Sequence, residues 1–126
     1  MNMGFRQKGS FDNSFKFLTN AVDVIKNMNH DKYGREGVAA LASATPKDTG
    51  LASNSWYYEI KRNRESIIIQ YCNSDIENSV PIAIILQYGH ATKNGGWVEG
   101  RDYINPAIRP IFDEIAENAW REIITL

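Results

Sequence analysis

One triplet in the sequence has residue types that could do catalysis, Asp48-Thr49-Gly50. Aspartic proteases place two such Asp residues face to face, so that the carboxylates share one proton and activate water, and a small chain could do this as a homodimer. That chemistry needs the Asp on a loop directly after a buried apolar strand, whereas Thr45-Pro46-Lys47 and an alanine-rich helical segment precede Asp48. The pattern is more typical of a Pro-x-Asp-x-Gly turn that leaves a helix.

The other reactive residue types lack the partners that chemistry requires. His30 and His90 are the only histidines, and neither has a second histidine or a cysteine at the close spacing of a zinc site. Cys72 lies in an expected strand without a sequence signal for a base beside it, and we expect a small buried residue there. Gly95-Gly96 lacks the preceding strand and following Lys-Ser/Thr of a phosphate-binding loop. We therefore expect no catalytic residues, no metal, no cofactor and no enzymatic activity.

A cluster of cations and aromatic rings in residues 56–64 could bind nucleic acid. It combines Lys61, Arg62 and Arg64 with the rings of Trp56-Tyr57-Tyr58, which could stack on bases. The whole chain has a formal net charge of −1, so it lacks the general attraction to phosphates that a basic protein has. A solvated hairpin turn is the simpler interpretation, and a small nucleic-acid-binding module remains the alternative.

Two amphipathic helices are expected in the first third of the chain. Phe11, Phe15, Leu18, Val22 and Ile25 recur at steps of four and three and predict a helix over Ser10 to Met28, ending between Asn27 and His30. A second helix is expected over Lys32 to Ala44, with an apolar face of Val38, Ala39, Leu41 and Ala42. Its alanines would allow close approach to the first helix.

The middle of the chain predicts a β-hairpin and then an ambiguous segment. Trp56, Tyr58 and Ile60 alternate with polar or outward positions, and Ser66 to Cys72 continues the same period of two, with a turn over Arg62 to Glu65. Ile82 to Tyr88 fits a short helix or a strand equally well. Trp97 to Ile104 is expected to be extended and to return to the sheet as a third or fourth strand.

The end of the chain predicts a long helix from Asn105-Pro106 to about Ile124. Its expected buried stripe consists of Ile108, Phe112, Ile115, Ala119 and Ile123. With 126 residues, 43% of them hydrophobic, the chain is expected to be a single domain over residues 1–126, with residues 1–9 and the loop 90–101 flexible. No run is long and apolar enough to cross a bilayer, and the start lacks a signal-peptide pattern, so synthesis in the cytoplasm is expected.

Three ordered segments resemble a bacteriophage tail-component family, also described as tail-completion or head-tail joining proteins of long-tailed phages. Residues 44–55, Ala-Thr-Pro-Lys-Asp-Thr-Gly-Leu-Ala-Ser-Asn-Ser, are similar to its T-P-x-D-T-G-x-L-x-x-S signature. Residues 82–92 are similar to its apolar segment that ends in acidic-aromatic-Gly-Thr, with Gln87 in the place of the acidic residue. Residues 101–107 are similar to its Pro-Ala entry into a C-terminal helix.

This resemblance implies an α+β fold, in which N-terminal helices and a long C-terminal helix pack on a small, mostly antiparallel sheet. It also implies a structural virion protein, made in the host cytoplasm and located in the neck or tail. Its partners would be other copies in a ring, the neck or connector proteins and the tail-tube proteins, with DNA passing through the lumen without sequence-specific binding and no membrane. The candidate assembly residues are Asp48, Thr49, Gly50, Leu51, Gln87, Tyr88, Gly89, Trp97 and Arg101.

Overall fold

The computed structural model describes residues 12–47, 50–64 and 66–125. The helices are α1 (Asp12–Asn27), α2 (His30–Ala44), α3 (Ile82–Tyr88) and α4 (Ile104–Ile124). The strands are β1 (Trp56–Arg62), β2 (Ile67–Asn73), β3 (Ile76–Glu77), β4 (Val80–Pro81), β5 (Gly89–Ala91) and β6 (Trp97–Glu99). The predicted α+β class is confirmed. Residues 1–9, Phe11, Asp48 and Thr49 lie outside the described ranges.

The two predicted N-terminal helices are present, but their junction and packing differ from the prediction. Only Met28 and Asn29 separate them, because the Asn29 side chain accepts a hydrogen bond from the Lys32 amide (3.2 Å) and caps α2 two residues early. His30 therefore begins α2 and contacts the carbonyl oxygen of Ile25 through Nε2 (2.8 Å). Instead of packing on each other through alanines, α1 packs on α4, and α2 packs on α4 and β1.

Two glycines of α2 allow it to lie directly on the β1–β2 ladder. A side-chain carbon built on Gly34 would lie 2.7 Å from Cγ of Tyr58, and one built on Gly37 would overlap the ring of Tyr71. The Tyr71 hydroxyl also donates a hydrogen bond to the Tyr33 carbonyl oxygen (2.7 Å). Close helix-to-sheet contact therefore depends on glycine in α2 and on tyrosine in the strands.

The β1–β2 hairpin confirms the predicted period of two. Tyr58 lies opposite Tyr71 and Ile60 opposite Ile69, so these side chains share one face, and the intervening residues of β1 are exposed. That face joins a core made by Met28, Tyr33, Leu41, Ile108 and Ile111. The prediction of a buried Cys72 is wrong: it lies on the outer face and is half-buried, because it pairs with the exposed Tyr57 across the ladder.

The described strands form three separate two-stranded antiparallel ladders, β1–β2, β3–β4 and β5–β6. The expectation that residues 97–104 return to the first sheet is wrong, because β6 (Trp97–Glu99) pairs with the adjacent strand β5 across a short turn. The segment 90–101, expected to be a flexible loop, holds most of this hairpin, and its flexibility stays a prediction. The ambiguous segment 82–88 is the helix α3.

Helix α4 begins one residue earlier than predicted, at Ile104, and its predicted buried stripe is right at Ile108, Ile115 and Ala119 but wrong at Phe112. Ile108 is buried as expected, but Phe112 is 53% exposed and Ile111 is buried in its place. The apolar residues of α4 occur on two faces, so a stripe chosen by spacing alone can pass through either Ile111 or Phe112. The contact with α2 selects Ile111.

Candidate functional site

The predicted candidate residues fall in two places in the structure. Gly50 and Leu51 lie in a turn before β1, whereas Gln87, Tyr88, Gly89, Trp97 and Arg101 surround the base of the β5–β6 hairpin. Gly50 has a positive φ of 83°, which suits glycine, and its carbonyl oxygen accepts hydrogen bonds from the Asn54 amide and the Ser53 hydroxyl. Leu51 is exposed at the surface of this turn.

Asn73, at the end of β2, links this turn to the segment that leads into α3. Its side-chain amide donates to the Ala52 carbonyl oxygen (2.8 Å), and its side-chain oxygen accepts from the Asp75 amide (2.9 Å). The Asp75 carbonyl oxygen accepts in turn from the amide of Ile82, the first residue of α3 (2.9 Å). Sequence reasoning did not identify Asn73, because the sequence shows it only as a polar residue at the end of an apolar strand.

The base of the β5–β6 hairpin is closed by backbone contacts that require glycine. Gly89 has a positive φ of 87°, and a side-chain carbon built on it would lie 2.6 Å from the Val98 carbonyl oxygen. A side-chain carbon on Gly100 would overlap the Gln87 carbonyl oxygen. Because neither position has room for a side chain, the two ends of the hairpin are held against the end of α3.

The Gln87 side chain connects the end of α3 to the start of α4. Gln87 is only 7% exposed, and its Oε1 accepts hydrogen bonds from the amides of Tyr103 and Ile104, each at 2.9 Å. Its Nε2 donates to Asp102 Oδ1 (2.7 Å). The amides at a helix start lack intrahelical acceptors, so Gln87 serves as a cap supplied from outside the helix. We refer to Gln87, Asp102, Tyr103 and Ile104 as the latch.

Tyr103 completes the latch from the other side. Its ring is 2% exposed, and its hydroxyl donates a hydrogen bond to the Ala83 carbonyl oxygen in α3 (2.6 Å). The Arg101 amide donates to the Leu86 carbonyl oxygen (3.1 Å), while the Arg101 side chain is exposed. The hairpin therefore projects from a base that is hydrogen-bonded on both sides.

The hairpin and the residue before it present large apolar side chains to solvent. Tyr88 is 69% exposed, Trp97 is 59% exposed, and Val98 is exposed as well. A side-chain carbon on Gly89 would also meet the Trp97 indole, so this ring lies over the glycine. Val98 follows Trp97 in β6 and therefore points to the opposite face of the hairpin. We refer to Tyr88 and Trp97 as the hairpin surface.

A second exposed apolar surface lies on α4. Phe112, Trp120 and Ile124 are all more than half exposed, and with the exposed Ala116 they recur every four residues. Such spacing places them along one side of the helix, which we refer to as the α4 surface. Trp120 lies 16 residues after Ile104, about 24 Å along the helix axis. Sequence reasoning counted Phe112 as core, although the spacing of four was visible in the sequence.

The aromatic and basic hairpin over residues 56–64 offers less stacking area than its sequence indicates. Trp56 is half-buried and donates from Nε1 to the Thr45 hydroxyl (2.8 Å). Tyr58 is also half-buried, with its hydroxyl donating to Asp31 (3.1 Å). Of the three rings, only that of Tyr57 is exposed.

The described ranges contain no cluster of three or more His, Cys, Asp and Glu side chains arranged to hold a metal ion.

Between α2 and α4, Lys32 Nζ lies 3.2 Å from Glu114 Oε1, and this hydrogen bond raises the pKa of Lys32 above its ordinary value. No helix in the described part of the chain is both long and apolar enough to span a bilayer.

The stability of the protein is expected to fall in alkaline solution, because burial raises the pKa of the Tyr103 and Tyr71 hydroxyls. A raised folded-state pKa stabilises the protein fully below the ordinary tyrosine pKa, about 10, and that stabilisation is lost as the pH rises through the folded-state pKa. Urea unfolding measured on both sides of that range should show the decline. Tyr103→Phe should make the free energy of unfolding fall less steeply with pH, and it should lower that free energy at neutral pH. An unchanged dependence on pH would contradict this prediction.

No known protein family, curated protein or solved structure matches the chain.

Proposed function

We propose that this protein is a structural component of the head-tail interface or tail end of a long-tailed bacteriophage, where its copies form a ring during tail completion and head-tail joining. It would be made in the host cytoplasm and end in the virion. Its partners would be neighbouring copies, neck or connector proteins and tail-tube proteins, with DNA passing through without sequence-specific contacts. The resemblance of residues 44–55, 82–92 and 101–107 to the tail-completion family supports this proposal.

The observation that carries the proposal furthest is the hairpin surface on its closed base. Trp97 and Tyr88 are exposed, and the ends of the hairpin beneath them are held by Gly89, Gly100 and the latch. Burying a large apolar side chain contributes about 1.5 to 3 kcal/mol. Exposed aromatic rings on a projection with a closed base are suited to a protein interface.

The α4 surface supplies the second contact that a ring needs. A head-to-tail ring joins two different patches on each subunit, since the same patch facing itself produces a closed dimer. Trp120 is about 24 Å along the α4 axis from the end attached to the latch, so the α4 surface extends well away from the latch. In the proposed ring, the hairpin surface of one copy contacts the α4 surface of the next.

Gln87 has a different role in this proposal from the one its sequence position implied. It is buried, and both ends of its side-chain amide are hydrogen-bonded within the subunit. It therefore positions the hairpin rather than touching a neighbour. The assembly residues of the proposal are Tyr88 and Trp97 on the hairpin surface, and Phe112, Trp120 and Ile124 on the α4 surface.

The double change Trp97→Ser with Tyr88→Ser is expected to abolish head-tail joining without unfolding the subunit, because both side chains are exposed. The gene would be deleted from the phage and complemented with wild-type or variant copies. Electron microscopy of the lysates should show filled heads separate from tails in the deletion and in the variant, and joined particles with the wild type. Lys93→Ala, an exposed polar change in the same hairpin, serves as the matched control and should join normally.

Normal infectious particles in the deletion would remove the assembly role. The alternative, nucleic-acid binding by residues 56–64, would then be tested by measuring binding of the purified protein to DNA at increasing salt. Phosphate contacts through Lys61, Arg62 and Arg64 would weaken steeply as salt rises.

A further inference from the structure

The β1–β2 ladder has an outer edge on β1 whose backbone groups are not used within the described chain. The Ser74 amide donates to the Ser55 carbonyl oxygen, and the Asn63 amide donates to the Ser66 carbonyl oxygen. Antiparallel ladders alternate between bonded and non-bonded pairs, so the residues of β1 at odd positions bond to β2. The amides and carbonyls of Trp56, Tyr58, Ile60 and Arg62 therefore point away from β2.

An open, mostly apolar cleft of about 380 Å³ involves this strand and the neighbouring face of α2. Its lining consists of Arg35, Val38, Ala39, Trp56, Tyr57 and Tyr58. A strand added to the edge of β1 would satisfy the outward backbone groups. Edge strands are the usual template for such additions, and an isolated two-stranded ladder gains stability from further strands.

We propose that a second copy of this chain occupies this edge, with the two β1 strands antiparallel around a two-fold axis. The result is a four-stranded sheet in the order β2, β1, second-copy β1, second-copy β2. Two-fold symmetry makes the contact self-complementary, so each copy offers the same edge and the same cleft. The inference does not depend on the proposed phage function, because it uses neither the hairpin surface nor the α4 surface.

Charge selects the register of this contact. Because the outward groups belong to even positions, the strands must be centred on a single residue, and the registers that pair the most residues of β1 are centred on Tyr58, Glu59 and Ile60. Centring on Glu59 places two carboxylates directly opposite each other, which is destabilising, and centring on Tyr58 gives neither Glu59 nor Lys61 an opposite charge. Centring on Ile60 places Glu59 opposite Lys61 of the second copy, and the two-fold axis repeats this pair.

The same register explains how an edge lysine is compatible with pairing. Lysine on an edge strand commonly prevents unwanted strand addition. In the Ile60-centred register, Lys61 faces a carboxylate rather than another lysine. It also places Arg62 opposite Tyr58 of the second copy, where a guanidinium can lie against an aromatic ring.

Charge reversal tests the proposal on the purified full-length protein by sedimentation equilibrium. The wild type is expected to dimerise. Lys61→Glu places two carboxylates opposite each other, Glu59→Lys places two ammonium groups opposite each other, and each should raise the dimer Kd at least about tenfold. The double exchange, Glu59→Lys with Lys61→Glu, restores opposite charges and should return the Kd to within about threefold of the wild type.

Glu59 and Lys61 are exposed, so these variants should fold normally, and circular dichroism and thermal unfolding would check this. Lys93→Glu makes the same charge change on the β5–β6 hairpin, which the proposed contact does not use, and should leave the Kd unchanged. A monomer at every accessible concentration would overturn the proposal. A dimer insensitive to both single reversals, or a double exchange that fails to restore association, would each overturn it as well.

Discussion

Replacing Gly34 with alanine is expected to lower the free energy of unfolding by about 1 to 3 kcal/mol. This sign is the reverse of the usual one, because alanine in a helix interior is ordinarily about 1 kcal/mol more favourable than glycine. The new methyl group would lie 2.7 Å from Cγ and 2.5 Å from Cε2 of Tyr58. Since Cγ lies at the root of the ring, the whole side chain must move, and its hydrogen bond to Asp31 is lost.

Urea unfolding of Gly34→Ala beside Ser43→Ala gives the comparison. Ser43 is an exposed residue of the same helix, so alanine there is expected to be neutral or slightly stabilising. In a Tyr58→Ala background, Gly34→Ala should change sign and become stabilising, because the ring that the methyl group meets is gone. A Gly34→Ala variant more stable than the wild type would show that α2 and β1 are not in close contact.

Replacing Gln87 with leucine is expected to lower the free energy of unfolding by about 2 to 4 kcal/mol, because two amides at the start of α4 lose their acceptor. Leucine has a similar size but accepts no hydrogen bond. The Tyr103 and Ile104 amides would then have no partner in their buried surroundings, and Asp102 would lose a donor. An unpaired polar group in a protein interior costs more free energy than a hydrogen bond contributes to stability.

Amide hydrogen exchange locates this effect. In Gln87→Leu, the amides of Tyr103 and Ile104 should exchange much faster than in the wild type. The Ala107 amide, which donates to the Tyr103 carbonyl oxygen, serves as a reference one turn further along α4. Unfolding free energy within about 0.5 kcal/mol of the wild type would mean that Gln87 is not a necessary cap.

Gln87→Glu separates the acceptor role from the donor role. The phage family that this chain resembles has an acidic residue at this position. A carboxylate can accept hydrogen bonds from the Tyr103 and Ile104 amides and interacts favourably with a helix start. It cannot donate to Asp102, and it places a second carboxylate beside it. We therefore expect a loss of stability smaller than that of Gln87→Leu.

The β1–β2 hairpin could be predicted from sequence to the level of which side chains share a face. Trp56, Tyr58 and Ile60 alternate with outward residues over a long enough run to distinguish a period of two from a period of 3.6. Seven residues were too few to decide residues 82–88, where the same isoleucines fit both periods. The structure makes them a helix whose end is fixed by the latch, a contact with residues 15 to 17 positions away.

The start of α4 was predictable to within one residue, but the residue that caps it was not, because the cap is not local. Sequence rules look for a capping side chain directly before the helix, and Asn105-Pro106 satisfied that pattern. The acceptor is Gln87, which becomes a neighbour only after the chain has folded. Likewise, spacing alone could not choose between Ile111 and Phe112, because the choice depends on where α2 lies against α4.

Part of the candidate site could be predicted and part could not. Tyr88, Gly89 and Trp97 are all candidate assembly residues from the sequence, and the structure places them together at the hairpin base. The α4 surface could not be predicted, because residue types alone do not distinguish exposed from buried apolar side chains. Nor could the sequence show that Gln87 is buried while the neighbouring Tyr88 is exposed.

The closed base of the β5–β6 hairpin has a consequence for how such a protein can change over evolutionary time. Because Gly89 and Gly100 meet at the base, the chain enters and leaves the hairpin at nearly the same point. Residues inserted or removed in the turn over 92–96 therefore do not alter the distance that the backbone must span between α3 and α4. The length and composition of the projection can diverge to fit different neighbours while the rest of the subunit is inherited unchanged.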